Sequence, residues 1–245
     1  MKKIIMANWK MNLSILESLE LAKELQKKIK TKKKTVVLFP DFSTLAFIGP
    51  IIKDSQLLLG AQDSAAFEKG AHTGEVQPGN LKMLGVSYVL IGHSERRKEL
   101  SENISLLNKK IKTALSVGLI PVLCLGEDLN KKKAGLTKKY LKTELSRVLK
   151  DVKIKKASDL ILAYEPAWAI STSIKAKPLD SKTADSIHEF LKKEVKKITG
   201  FELKVIYGGS VNSSNSISFL NQNNIDGLLI GSASLKADSF MSIAN

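Results

Sequence analysis

The chain has 245 residues, of which 43% are hydrophobic, so it can bury a substantial core as a single domain over 1–245. One cysteine, Cys124, excludes an internal disulfide and a thiolate metal cluster. The apolar run from Ile4 to Ala7 is too short for a secretion signal or a membrane helix. We therefore expect a cytoplasmic protein that has no membrane contact.

The formal net charge of +15 is compatible with a nucleic acid, an anionic surface or an anionic substrate. The densest basic run, from Lys27 to Lys34, contains neither interleaved aromatic residues nor a nucleic-acid motif. We interpret the lysines as a solvated surface and expect no nucleic-acid partner. A well-placed positive field still speeds encounter with an anionic substrate, by about 10- to 1,000-fold.

Strand-like and helix-like segments alternate along the whole chain, which is typical of a parallel sheet covered by helices. Apolar spacing predicts one helix over residues 18–29 and another from Thr183 that ends before Gly200. Eight strands are predicted, with no linker and no Gly-x-Gly-x-x-Gly after the first, so a closed (βα)8 barrel is favoured over an open sheet. The predicted strands begin at Lys3, Thr35, Gln56, Ser87, Leu119, Asp159, Leu203 and Ile225.

Catalytic groups of such a barrel lie where the strands end. Asn8 and Lys10 follow the first strand, and alternation turns both to one face and Trp9 to the other. Either an amide and an ammonium group reach the mouth of the barrel, or Lys10 is solvated beside a packed tryptophan.

His93 follows the fourth strand and directly precedes a helical stretch. A helix N-terminus disfavours the imidazolium, so a neutral His93 can donate a hydrogen bond to a carbonyl oxygen. The alternative is a purely structural histidine.

Glu165 ends the sixth strand, and Pro166 stops the strand ladder because it has no amide hydrogen. The next residues, PAWAISTSIKA, are first apolar and then small and polar, which suggests a lid that excludes water from Glu165. Glu165 is therefore a candidate general base. The alternative is a helix-capping or ion-paired carboxylate beside a connection that merely packs.

Small residues follow the last two strands, at Gly208 to Ser210 and at Gly231 to Ser234. We predict that each turn opens a short helix and that their amides together bind a phosphate group. Nucleotide-binding, metalloprotease and serine-hydrolase motifs are absent, as are clustered His and Cys ligands, so we expect no metal and no cofactor.

Seven ordered stretches resemble the triosephosphate isomerase family, and the resemblance covers essentially the whole chain. They are ANWKMN from Ala7, GEVQP from Gly74, IGHSERR from Ile91, CLGE from Cys124, AYEPAWAI from Ala163, YGGSV from Tyr207 and DGLLIGSASL from Asp226. The resemblance implies interconversion of dihydroxyacetone phosphate and glyceraldehyde 3-phosphate through an enediolate. A different phosphate-binding barrel isomerase would keep the last two turns but need not combine Lys10, His93 and Glu165.

The resemblance also implies roles for single residues. Glu165 would move the proton between adjacent carbons, and His93 would polarise the carbonyl group. Lys10 would stabilise negative charge with Asn8 nearby, and Glu95 would position Lys10. Backbone amides would hold the phosphate group at Ser171, Ser210, Gly231 and Ser232.

Three serines depart from the family pattern, because Ser171, Ser173 and Ser232 stand where glycine is usual. Glycine reaches positive φ, which costs another residue about 1 to 2 kcal/mol, so lid closure or phosphate contact is expected to differ. The segment from Asp63 to Pro78 resembles the family's dimer-forming loop. It implies a homodimer in which Thr73 lies near the partner's active site, and the alternative is a surface loop.

Overall fold

The structure is a computed structural model that describes residues 2–169 and 179–245. Its eight parallel strands form a closed barrel in chain order, so the predicted (βα)8 architecture is confirmed. Each predicted strand is present and begins within two residues of its predicted start. The strands are β1 (Lys3–Asn8), β2 (Lys34–Phe39), β3 (Leu57–Ala61), β4 (Val86–Ile91), β5 (Ile120–Leu125), β6 (Ile161–Tyr164), β7 (Lys204–Tyr207) and β8 (Gly227–Ile230).

Helices connect these strands on the outside of the barrel. In the described ranges they are α1 (Ile15–Lys28), α2 (Leu45–Ile52), α3 (Pro78–Met83), α4 (Ser94–Glu99), α5 (Ile104–Ser116), α6 (Leu129–Lys133), α7 (Thr137–Val148), α8 (Ser181–Thr199), α9 (Ser216–Leu220) and α10 (Ala237–Ala244). Short 3₁₀ helices span Phe42–Thr44, Ala167–Ala169 and Ser232–Ser234. Of these helices, none is both long and apolar enough to cross a membrane.

The two helices predicted from apolar spacing are α1 and α8. A capping box between Ser14 and Glu17 begins α1, because each side chain bonds the other residue's backbone N–H. Helix α8 ends at Gly200, whose φ of 80° lies in the left-handed region that glycine enters without strain.

Alternation along the strands divides the core into two layers. Ile4 and Met6 of β1 point into the barrel, whereas Ile5 and Ala7 pack outwards against the helices. The inner layer is formed by Ile4, Met6, Val37, Phe39, Leu90, Val122, Cys124, Ile161, Ala163, Ile206 and Leu229. These side chains fill the interior of the barrel, which is a packed core and not a channel. Functional groups therefore lie at the rim, where the strands end.

The segment from residue 62 to residue 77 contains no helix or strand and ends where α3 begins at Pro78. An ion-pair cluster anchors its start, since the buried ammonium of Lys110 contacts Asp63 at 2.6 Å and Glu102 at 2.5 Å. The rings of Phe67 and His72 stack within the loop, with centroids 3.9 Å apart. The base of the loop is therefore tied to α5, and its tip is exposed at Thr73.

Candidate active site

Lys10 reaches the mouth of the barrel from the end of β1. Its φ of 53° places a non-glycine residue in the left-handed region, which costs on the order of 1 to 3 kcal/mol. The ammonium group lies 2.5 Å from Glu95 Oε1, and the backbone N–H donates to Asn8 Oδ1 at 3.1 Å. Trp9 is buried in the outer core, so the alternating directions expected from the sequence are observed.

His93 caps the N-terminus of α4, as the sequence predicted. Its Nδ1 accepts a hydrogen bond from the Glu95 N–H at 3.3 Å, so a neutral ring carries its hydrogen on Nε2. That Nε2 atom lies 3.6 Å from Oε1 of Glu165. His93 therefore presents a donor to the same space that the Glu165 carboxylate faces.

Glu165 is only 3% exposed and is held from several sides. Its N–H donates to the Leu125 carbonyl at 2.8 Å. Gly208 packs against the side chain so closely that an added Cβ would lie 2.6 Å from Glu165 Cγ. The Oε2 atom is buried and has no hydrogen-bond partner in the described part of the chain. Glu165 thus offers an oxygen that can take a proton.

The turn after β8 provides two open amides. The 3₁₀ helix Ser232–Ser234 begins there, and no described acceptor contacts the N–H groups of Gly231 and Ser232. Ser232 does not have positive φ, so serine carries no left-handed strain at this position. The departure from glycine that the sequence singled out here therefore needs no backbone compensation.

The turn after β7 differs from its prediction, because the next helix, α9, begins only at Ser216. A local turn at Asn212 delays the start of this helix. The side-chain oxygen of Asn212 accepts hydrogen bonds from the N–H groups of Ser214 and Asn215. Both the N–H and the hydroxyl of Ser210 donate to the Ala169 carbonyl at 2.9 Å. The Ser210 amide is therefore occupied in this structure. Ser171 and Ser173, with the rest of the predicted lid from residue 170, lie outside the described residues.

Two positioning side chains escaped the sequence prediction. Gln62 donates to the carbonyls of Lys10 at 2.8 Å and Phe39 at 3.0 Å, which braces the strained turn at Lys10. Arg97 donates to the carbonyls of Gly92 at 2.6 Å and Cys124 at 2.5 Å and pairs with Glu144 of α7. Gln62 directly follows β3, so reading every strand end would have found it.

A third positioning group is Glu127, just after β5. Its carboxylate accepts from the Tyr164 hydroxyl at 3.1 Å and from the Trp168 indole at 3.0 Å. Burial raises the pKa of Tyr164, and the neighbouring carboxylate of Glu127 adds to this shift, so the hydroxyl remains a donor. Burial likewise raises the pKa of the Cys124 thiol, with the charge of Glu165 as a second cause.

Comparison with known proteins places this geometry in a family. The family profile described as triosephosphate isomerase matches residues 3–245. The triosephosphate isomerase of Thermoanaerobacter pseudethanolicus is 39% identical over 100% of this chain and 99% of its own length. The chain belongs to the triosephosphate isomerase family.

Further relatives agree with this placement in sequence and in structure. The triosephosphate isomerase of Treponema denticola is 41% identical over 100% of this chain and 98% of its own length. The crystal structure of triosephosphate isomerase from Bartonella henselae superposes with a TM-score of 0.89 at 31% identity, covering 99% of this chain and 98% of that one. Membership sets aside the alternative of a different phosphate-binding barrel isomerase.

Within this family member, side chains from separate strands converge at one rim. Lys10 and Glu95 contact each other, and His93 lies against Glu165. Nowhere in the described ranges do three His, Cys, Asp or Glu side chains group as metal ligands. The described rim therefore combines a carboxylate, an imidazole, an ammonium group and open backbone amides.

Proposed function

We propose that this chain isomerises dihydroxyacetone phosphate and D-glyceraldehyde 3-phosphate with Glu165 as the general base and His93 as the electrophile. The observation that carries the proposal is the facing pair itself, with Glu165 Oε1 3.6 Å from His93 Nε2 and Glu165 Oε2 unpartnered in the described structure. Family membership supports these two triose phosphates as the substrates, and their interconversion is a step of glycolysis and gluconeogenesis.

The reaction moves one proton between adjacent carbons. Glu165 removes a proton from the carbon beside the carbonyl while His93 Nε2–H donates to the carbonyl oxygen, so the negative charge collects on oxygen in an enediolate. Glu165 then returns the proton to the neighbouring carbon, and His93 assists proton transfer between the two oxygens. Positioned proton transfer of this kind accelerates a step by about 100- to 10,000-fold.

Lys10 supplies the fixed positive charge for the enediolate. Its contact with Glu95 at 2.5 Å and its strained backbone, braced through Asn8, hold the ammonium group before substrate arrives. A preorganised charge does not reorganise as the transition state forms, which is why it stabilises the enediolate more than water does.

The substrate phosphate group is proposed to bind the open amides of Gly231 and Ser232 after β8. Ser210 joins them by exchanging the Ala169 carbonyl for a phosphate oxygen, which breaks the 2.9 Å contact seen here. Ser171 is included on the family resemblance alone. This arrangement needs no metal and no cofactor.

A cytoplasmic homodimer completes the proposal. Large apolar side chains are exposed on the first three βα units, which precede and follow the loop over residues 62–77 along the chain: Met11 is 90% exposed, Phe47 55% and Met83 86%. Exposed apolar side chains that group together mark protein–protein interfaces, and these three support an interface on this part of the chain. In the proposed dimer the loop, with Thr73 at its exposed tip, extends to the partner's active site.

The chemistry is tested by isomerising dihydroxyacetone phosphate with the purified chain in deuterated water. A base that exchanges its proton with solvent places deuterium on the carbon that it reprotonates, and mass spectrometry of the product detects it. Product that forms without any deuterium would point to direct hydride transfer and would rule out Glu165 as an exchanging base.

A further inference from the structure

The indole of Trp168, three residues after the proposed base, is held on two sides. Its Nε1–H donates to Glu127 Oε1 at 3.0 Å. The ammonium group of Lys132, in the short helix α6, lies 3.1 Å from the centre of the ring. One side chain therefore fixes the edge of the indole and another covers its face.

Among the described residues, Lys132 has no competing partner of opposite charge. Across the described ranges no carboxylate forms an ion pair with it, whereas its neighbour Lys131 pairs with Asp128. An ammonium group over an aromatic face is attracted by the ring quadrupole. It also polarises the ring, which makes the indole N–H a better donor to Glu127. The two contacts on Trp168 thus strengthen each other.

The held indole belongs to the segment that carries Glu165. The end of β5 and the turn after it bind the backbone of this segment twice. The Glu165 N–H donates to the Leu125 carbonyl at 2.8 Å, and the Ala167 N–H donates to the Glu127 carbonyl at 3.1 Å. Gly126 packs against it so tightly that an added Cβ would lie 1.9 Å from the Glu165 carbonyl oxygen. Trp168 adds the side-chain anchor after these backbone contacts.

We propose that Lys132 is a positioning residue for the isomerase reaction, which clamps Trp168 and so fixes the segment that aims the Glu165 carboxylate. Lys132 acts through Trp168 and Glu127 and does not touch the reacting atoms. The kinetic part of this proposal rests on the proposed function, whereas the clamp itself does not.

The kinetic test compares Lys132→Met with Lys133→Met. Both variants remove one exposed charge from α6, but only Lys132 lies over the ring, so a shared effect of net charge cancels. Lys132→Met is expected to lower kcat about two- to five-fold, the strength of an exposed cation–π contact, with KM unchanged. Lys132→Arg, which retains a cation for the ring, is expected to restore kcat. A kcat of Lys132→Met equal to that of Lys133→Met would overturn the positioning role.

Tryptophan fluorescence tests the clamp without any substrate. The chain has two tryptophans, and Trp9 is buried, so the spectrum of Trp168→Phe gives the contribution of Trp9 alone. Uncovering the ring in Lys132→Met is expected to move the Trp168 emission to longer wavelength, and Lys133→Met is expected to leave it in place. An unshifted spectrum in Lys132→Met would overturn the clamp. A shift in a chain that lacks isomerase activity would keep the clamp and reject only the proposed function.

Discussion

At the scale of single residues, Lys10 combines backbone strain with a place in the site. Its left-handed φ of 53° suits glycine, so Lys10→Gly is expected to raise the free energy of unfolding by about 1 kcal/mol. The same change removes the ammonium group that faces the enediolate, and kcat is expected to fall about 100- to 1,000-fold. Urea denaturation and a steady-state assay measure the two effects. If Lys10→Gly were less stable than the natural chain and nearly as active, both the backbone strain at Lys10 and its role in catalysis would be contradicted.

His188 gives a pH dependence to the stability of the barrel. Desolvation of the fully buried ring lowers its pKa from 6.5 to about 3, and the hydrogen bond of Nδ1 with the Val205 carbonyl at 3.1 Å only partly opposes this shift. Between these two pH values the unfolded chain binds a proton at this histidine and the folded chain does not. Stability contributed by the neutral ring is therefore present above pH 6.5 and is lost as pH falls towards 3, on the order of 5 kcal/mol in all.

The variant His188→Gln isolates this contribution, because every carboxylate is unchanged. Its free energy of unfolding is expected to decline less steeply than that of the natural chain between pH 6.5 and 4. Parallel declines in urea titrations across this window would show that another group causes the acid sensitivity.

At the scale of secondary-structure elements, closure of the barrel depends on the contact between β1 and β8. Gly227 pairs with Ile4, and an added Cβ would lie 1.9 Å from the Ile4 carbonyl oxygen. Gly227→Ala must push the two strands apart, so we expect it to lower the free energy of unfolding by about 2 kcal/mol or more.

Gly79→Ala is the matched control for Gly227→Ala. Gly79 lies in α3 with open space around its Cβ position, and its φ is not positive, so alanine is expected to be neutral or to stabilise by up to about 1 kcal/mol. If chemical denaturation gave the two variants equal stability, the tight approach of β1 and β8 would not be a closure constraint.

The elements also show what sequence can and cannot predict here. All eight strands were predictable, because each is a short apolar run and the pattern repeats around the barrel. The prediction that the turn after β7 opens a helix was wrong. The turn at Asn212 depends on local side-chain capping, and the hydrogen bond from Ser210 depends on the distant Ala169 carbonyl. The spacing of apolar residues along the sequence reveals neither side-chain capping nor a contact with a distant carbonyl.

The site divides in the same way. His93 and Glu165 were predicted as site residues because each lies at a strand end, and the structure brings them within 3.6 Å of each other. Gln62 also lies at a strand end, but its contact with Lys10 and the contact of Lys132 with Trp168 were not predicted, because a bond to a carbonyl or a ring far along the chain leaves no pattern in the residues nearby.

At the scale of the whole molecule, the exposed apolar side chains of Met11, Phe47 and Met83 predict that two copies of the chain associate. The natural chain is expected at twice its mass of 26.9 kDa in sedimentation experiments. Met83→Glu, which puts a charge where an 86% exposed methionine stands, is expected to shift the equilibrium to monomer.

Ile217→Glu is the control, because Ile217 is also 63% exposed but lies on α9, outside the first three βα units. It is expected to stay dimeric. An interface that includes Met83 would be contradicted if the natural chain sedimented only as a monomer. It would also be contradicted if Met83→Glu and Ile217→Glu dissociated to the same extent.

The central claim, that Glu165 is the base, is tested most directly by assaying triose phosphate interconversion with the natural chain and with Glu165→Gln. The amide keeps the shape of the carboxylate but cannot take the proton, so kcat should fall by about 100- to 10,000-fold or more while inhibition by inorganic phosphate is unchanged. Glu189→Gln, on the exposed face of α8, should retain full activity. Equal kcat values for the natural chain and Glu165→Gln would contradict the claim.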